Sequence, residues 1–231
     1  MKPTSCPLNT ARGVFIAGTD TGVGKTVFAC ALLRAYAARG LRAVGMKPVA
    51  AGIAPGSACN ADVAALAAAS NVDAPLDARN PFAFAPAIAP HLAAAEAGVA
   101  IDLVRIREAY KLIAARADRV VVEGAGGVCV PLGPRHDMLD VALTLSLPVV
   151  LVVGMQLGCL NHALLSAHAI RARGLALVGW VGNLVDPEMA RIEENLAALD
   201  QRLPARRIAT LGWGHADARI WGAGAAVLEI V

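Results

Sequence analysis

Gly18-Thr19-Asp20-Thr21-Gly22-Val23-Gly24-Lys25-Thr26 follows the apolar run Val14-Phe15-Ile16-Ala17 and opens an alanine-rich stretch, 25–39, that stops at Gly40. A buried strand, a glycine loop and a helix start, in that order, let backbone N–H groups converge on phosphate oxygens while the helix N-terminus adds partial positive charge. In that frame Gly22, Val23, Gly24 and Val27 flank the phosphates of ATP, Lys25 bridges the outer ones, and the Thr26 hydroxyl is placed to ligate Mg²⁺. A turn that merely starts a helix would need the glycines but not the Lys-Thr pair. The match to G-x-x-x-x-G-K-[ST] has one departure: its first glycine position is Thr19, with Gly18 one residue early.

Outward from this loop, short apolar runs alternate with longer amphipathic ones. The spacing predicts strands over 42–46, 119–122, 149–153 and 177–181, and helices over 62–69, 102–117, 137–145, 160–173 and 187–202. Runs such as Val120-Val121-Val122 lack period-two alternation, which suits strands covered on both faces. The expected fold is therefore α/β: a mostly parallel central sheet with helices on both faces, in one P-loop domain spanning 1–231, with 1–12 a loose extension. The proline-containing stretch 75–90 reads as irregular, a linker or, at that length in a compact domain, a lid or binding loop.

Composition narrows the function classes. With 231 residues the chain can bury a core without disulfides, and its five cysteines are scattered with no C-x-x-C pair or zinc-like spacing. A reducing, cytoplasmic setting is expected. No segment reads as a signal peptide or as eighteen uninterrupted apolar residues, so neither export nor a membrane span is expected. A net charge of +3, with Lys and Arg dispersed, does not point to nucleic acid.

Three further positions carry chemistry. Asp118 to Gly127, D-R-V-V-V-E-G-A-G-G, delivers Glu123 to the C-terminal end of a strand, where ligands bind in such sheets. Glu123 is placed to hold or orient Mg²⁺, and Gly124, Gly126 and Gly127, with Ala125 at the ATP site between them, let backbone approach a ligand, although a capped strand end with a glycine turn would look similar. Lys47, before Pro48 at the end of the second strand, faces the same crevice or is a solvated strand-end lysine. Asp62, taken alone, is a helix N-terminal carboxylate favoured by the dipole.

The ordered set G-T-D-T-G-V-G-K-T, M-K-P-V-A-A-G, N-A-D-V-A-A-L, V-E-G-A-G-G and L-G-C-L-N-H closely resembles the dethiobiotin synthetase family over residues 13 to about 184. The resemblance implies a homodimer that carboxylates 7,8-diaminopelargonate with CO₂ and closes a cyclic urea at the expense of ATP. It implies Thr26, Asp62 and Glu123 as the Mg²⁺ site, Lys25 and Lys47 as catalytic cations, and Thr21, Lys47 and Ala51 beside the diamine. It further implies that Gly158, Cys159, Leu160 and Asn161 receive the substrate's distant carboxylate across the dimer interface. Asn183 and Leu184 fall at the nucleobase. Plain capping of the helix from Leu160 would account for the 158–161 pattern as well.

Some positions depart from the family pattern. Ala51 stands where a serine commonly touches substrate, Gln156 where lysine is common, Leu184 where an acidic residue is common, and Leu211-Gly212-Trp213-Gly214 lacks an expected proline turn. Two other classes share the fold. An ATP-driven switch of the partition-ATPase type would carry an additional lysine between Gly18 and Gly24, and the C-terminal A-G-A-A-V-L-E-I-V is no basic amphipathic helix. A cobyric-acid-type amidotransferase synthetase would need an attached glutaminase domain, and no cysteine follows Asn183.

Overall fold

The computed structural model describes residues 13–213; the expected N-terminal extension and the C-terminal A-G-A-A-V-L-E-I-V lie outside them. Strand β1 (Gly13–Gly18) runs into the glycine loop and helix α1 (Lys25–Ala38), and β2 (Ala43–Met46) follows. After β2 come β3 (Val49–Ala51), α2 (Ala61–Ala69), α3 (Leu76–Arg79), β4 (Phe82–Phe84), α4 (Pro90–Glu96) and α5 (Leu103–Ala114). The second half alternates β5 (Arg119–Glu123), α6 (Met138–Thr144), β6 (Val149–Met155), α7 (Cys159–Ala172), β7 (Leu177–Leu184), α8 (Ile192–Arg202) and β8 (Arg207–Leu211).

Six strands pair in the order β2-β5-β1-β6-β7-β8, and every pairing is parallel. The apolar strands explain this arrangement. Along β1, Phe15 and Ala17 join the core on one face of the sheet, while Val14 and Ile16 join the core on the other. Val120 and Val122 of β5 divide from Val121 in the same way. One core takes Phe28, Leu32 and Leu33 of α1 with Leu66 of α2; the opposite core takes Ile106 and Ile113 of α5, Met138 of α6 and Ile170 of α7. A strand buried on both faces needs no polar alternation, so the valine runs are read correctly as central strands.

The stretch 75–90 is not the lid or linker expected from its prolines. It supplies α3, β4 and the first residue of α4, and β4 pairs with β3 as a second, two-stranded parallel sheet in which Phe82 and Phe84 are buried. Other elements differ as well. The helix expected from 187 begins only at Ile192, because Arg191 takes a left-handed conformation with φ 58°. Strand β8 has a mixed R-I-A-T-L sequence and gave no apolar run to find.

All six large-sheet strands point the same way, so their C-terminal ends share one edge. Gly18, Met46, Glu123, Met155, Leu184 and Leu211 end there. An open parallel sheet places its ligands along that edge.

Candidate active site

The phosphate loop hangs between β1 and α1 and is closed largely by its own main chain. Lys25 Nζ folds back to donate to Asp20 O at 2.7 Å, and Thr19 N–H donates to Val152 O of β6 at 3.0 Å. Gly24, the N-cap of α1, has φ 91°, and a Cβ there would lie 2.1 Å from Asn183 Nδ2. Only glycine meets both conditions. Asn183, on β7, donates that amide to Val23 O at 2.9 Å and so ties the loop to the sheet. No side chain caps α1, which leaves first-turn N–H groups facing the loop.

Glu123 ends β5 and is buried among these parts. Its Oε1 accepts from the Thr26 hydroxyl at 2.8 Å and from Lys47 Nζ at 2.6 Å. Lys47 Nζ also donates to Asp62 Oδ2 at 2.5 Å. Residues from α1, the end of β2, the first turn of α2 and the end of β5 therefore meet around one ammonium. The reading of Lys47 as a solvated strand-end lysine fails, since it is 5% exposed and paired with two carboxylates; Asp62 does stand in the first turn of α2, and there it also holds Lys47.

Charge at this site is finely divided. Lys25 is pushed down to about 8, first by burial and then by the like charge of Lys47. Burial also works to lower Lys47, but Glu123 and Asp62 overcome it and hold the ammonium above its ordinary value. Glu123 is held above the usual carboxylate range by burial, against the pull of Lys47. Burial acts to raise Asp62 as well, yet Lys47 dominates and its carboxyl lies below that range.

Two carboxylates and a hydroxyl form an all-oxygen donor set that suits a hard divalent cation. Glu123 Oε2 is buried with no hydrogen-bond partner among the described residues, an acceptor left with nothing to accept from. Thr26, Asp62 and Glu123 thus fit Mg²⁺. Among the described residues no three His, Cys, Asp or Glu side chains gather as a softer metal would require.

The second glycine loop lies against the first. Gly126 has φ 63°, and a Cβ there would come 3.5 Å from Thr21 Oγ1; one at Gly127 would meet Thr19 O at 3.4 Å. Gly124 and Ala125 connect this contact to Glu123, so Thr21 and residues 124–126 border one space. Ala51 ends β3 on the other side, its carbonyl accepting from Asn60 Nδ2 at 3.1 Å.

A cavity of about 240 Å³ opens beside the phosphate loop, lined by Gly22, Val27, Asn183, Leu184, Val185, Gly212 and Trp213. Val185 was not singled out from the sequence, and Trp213 was noted only as part of the segment 211–214 that lacks the expected proline turn. Its lining side chains are apolar apart from the Asn183 amide and the Trp213 indole N–H. Gly158, Cys159, Leu160 and Asn161 open α7 after β6, and among the described residues no hydrogen bond joins them to Lys25 or Lys47. Gly158 is a left-handed N-cap with no side-chain cap, and Cys159 is 1% exposed, so its thiol is not displayed.

Sequence reasoning also missed two buried amides. Asn60 caps α2 by accepting from Asp62 N–H at 2.9 Å while it donates to Ala51 O and Gly52 O. That links the Asp62 helix to the β3 corner. Asn80 donates to Lys47 O at 2.7 Å. An N-cap pattern marks the first, and an Asn-Pro turn signal marks the second.

Comparison with known proteins agrees with this geometry. Residues 12–216 match a family model described as an AAA domain. A protein of Aromatoleum aromaticum named ATP-dependent dethiobiotin synthetase BioD is 55% identical over 196 residues, covering 84% of this chain and 87% of its own length. A protein of the same name from Nitrosospira multiformis is 55% identical over 192 residues, covering 83% of this chain and 84% of its own. Among solved structures, the MinC:MinD cell division complex of Aquifex aeolicus aligns with a TM-score of 0.56 at 16% identity, over 87% of this chain and 81% of that one. The signal recognition particle receptor FtsY of Elizabethkingia anophelis gives 0.51 at 17% identity, over 96% and 66%. At such identities these two show the fold alone.

Proposed function

The chain belongs to the ATP-dependent dethiobiotin synthetase family, and from that premise we propose that it carboxylates 7,8-diaminopelargonate with CO₂ and closes the product to dethiobiotin, releasing ADP and phosphate. The observation that carries this reading is the shared oxygen at Glu123 Oε1. Thr26 and Lys47 both donate to it, so the loop that holds phosphate and the lysine that meets substrate face one space.

The reaction runs through anions. One amine adds to CO₂ and loses a proton to give a carbamate; a carbamate oxygen attacks the γ-phosphorus as ADP leaves. The second amine then attacks the carbonyl carbon of the mixed anhydride, and phosphate departs as the ring closes. No side-chain nucleophile is needed; the barrier falls through preorganised positive charge.

Each residue has work to do in that scheme. The loop main chain and Lys25 hold the outer phosphates. Lys47 has three N–H donors, two spent on Asp62 and Glu123, and the third is left for the carbamate and the transferring oxygen. Thr21 and Ala51 border the diamine, with Ala51 supplying surface but no hydroxyl. Asn183, Leu184 and Trp213 hold the base in the apolar cavity. Thr26, Asp62 and Glu123 would hold Mg²⁺, which when bound neutralises phosphate charge.

A homodimer follows from the family reading, with the distant carboxylate of the substrate received at residues 158–161 of a second copy. Leu157, 94% exposed immediately before that turn, supports this, since a partner would cover it. We place the enzyme in the cytoplasm. Among the described residues no helix is long and apolar enough to cross a membrane, and Cys30, Cys59, Cys129 and Cys159 are free thiols.

The test is ADP release by purified protein supplied with diamine, bicarbonate and MgATP, each omitted in turn. Turnover is expected only with the full set. ADP release indifferent to the diamine would remove the ligase assignment.

A further inference from the structure

The main chain of Lys47 is held by one short segment more than thirty residues downstream. Its N–H donates to Arg79 O at 2.8 Å, and its carbonyl accepts from Asn80 Nδ2 at 2.7 Å. The same Asn80 amide donates to Phe82 O at 3.0 Å, and Phe82 N–H returns to Pro48 O at 3.1 Å. Asn80 is 6% exposed, and its amide is spent on the Lys47 carbonyl and on Phe82 O of β4, the strand paired with the corner that carries Lys47.

That anchor is itself anchored. Arg79 is 5% exposed and spends its guanidinium on Ala74 O, Gly45 O, Ser70 Oγ and Val72 O. Ser70 Oγ accepts from Gly45 N–H at 2.9 Å, and Asn71 exchanges hydrogen bonds with Ala43. The outer polar groups of Ala43, Gly45 and Lys47 are thus all taken by residues 70–80. The segment is laced along β2 as an irregular partner, and its last stitch, Asn80, sits at the residue whose ammonium enters the site.

We propose that Asn80 is a positioning residue for the ligase reaction, fixing the Lys47 peptide and so the placement of its ammonium between Asp62 and Glu123; the effect on turnover rests on the function proposed above. Four methylenes separate the Lys47 ammonium from its backbone, and their rotamers are selected by two carboxylates and one fixed starting point. Loosening the starting point shifts the donor. A misplacement of about 1 Å is enough to slow a positioned reaction on the order of 100-fold.

The experiment has one arm that does not depend on the ligase reading. In a crystal structure of Asn80→Ala, Lys47 Nζ is expected to have left Glu123 Oε1 or Asp62 Oδ2; retention of both contacts overturns the proposal. In the turnover arm, Asn80→Ala is expected to lower kcat about 10- to 100-fold while KM for MgATP stays within about twofold and the unfolding transition remains cooperative. Unchanged kcat in a folded variant overturns it. Placing Asn80→Ala in a Lys47→Ala background separates positioning from general damage, because a residue acting through Lys47 should cost less than about threefold more there. Losses that multiply overturn the proposal. Should Asn80→Ala not fold, Asn80→Ser, which keeps one donor, is read by the same criteria. Wild-type protein with no diamine-dependent ADP release would instead remove the ligase reading, and the crystallographic arm would still decide the placement of Lys47.

Discussion

The phosphate loop at 18–26 and the corner at 47–52 each bring a lysine to one pocket, but they are built differently. Lys25 is held within its own loop, by a carbonyl five residues away and a left-handed glycine beside it. Lys47 depends on Asp62, Glu123 and Asn80, which come from three other elements. A loop that carries its own scaffold works as a unit, whereas a corner braced from outside can be tuned or broken by residues far from it in the chain. The two ammonium groups differ to match: burial moves Lys25 toward neutrality, and two carboxylates keep Lys47 charged.

The largest expected effect sharpens that contrast. Lys47→Ala removes a preorganised cation and should lower turnover about 10²- to 10³-fold, while affinity for MgADP by calorimetry changes less than about threefold. Equal losses in both would show that Lys47 holds nucleotide as Lys25 does, and the division of labour would collapse.

The next effect concerns Lys25 alone. In free protein it loses its proton near pH 8, and bound phosphates favour the charged form, so binding above that pH must take up a proton. Affinity for MgADP should therefore fall as pH rises from 8, approaching about tenfold per pH unit until the pKa of the complex is reached. Lys25→Arg should flatten the profile. A flat wild-type profile would mean the loop does not desolvate its lysine.

The smallest effect asks whether the loop stands by itself. Asn183→Ala removes the donation to Val23 O, one buried hydrogen bond worth about 1 kcal/mol. Nucleotide KM should rise about fivefold with kcat nearly unchanged. A hundredfold loss would show the loop leaning on β7 as the corner leans on Asn80.

The same contrast governs what could be read from residues alone. The phosphate loop, the Glu123 strand end and the valine-rich strands are contiguous, and their physics lies within a few positions: glycines where φ is positive, a carboxylate after an apolar run. Lys47 and Asp62 were visible as residues, but their meeting depends on how β2 and α2 sit, and only the family resemblance supplied it. Asn80 and Arg79 were not legible as parts of the site. Their partners are almost all main-chain carbonyls, Gly45 O on β2 and Lys47 O just after it among them, and no side-chain pattern advertises a carbonyl in need of a donor. The stretch 75–90 was misread for a related reason: three-residue strands such as β3 and β4 are too short to show alternation, and each exists only because the other is beside it.

The lacing of 70–80 along β2 also bears on how the molecule can associate. A strand whose outward N–H and C=O groups are already engaged offers no template for a stranger's backbone. On that flank, recruitment of another chain by sheet extension is closed off. What reads as an irregular connection therefore also guards one edge of a large parallel sheet against strand-by-strand stacking.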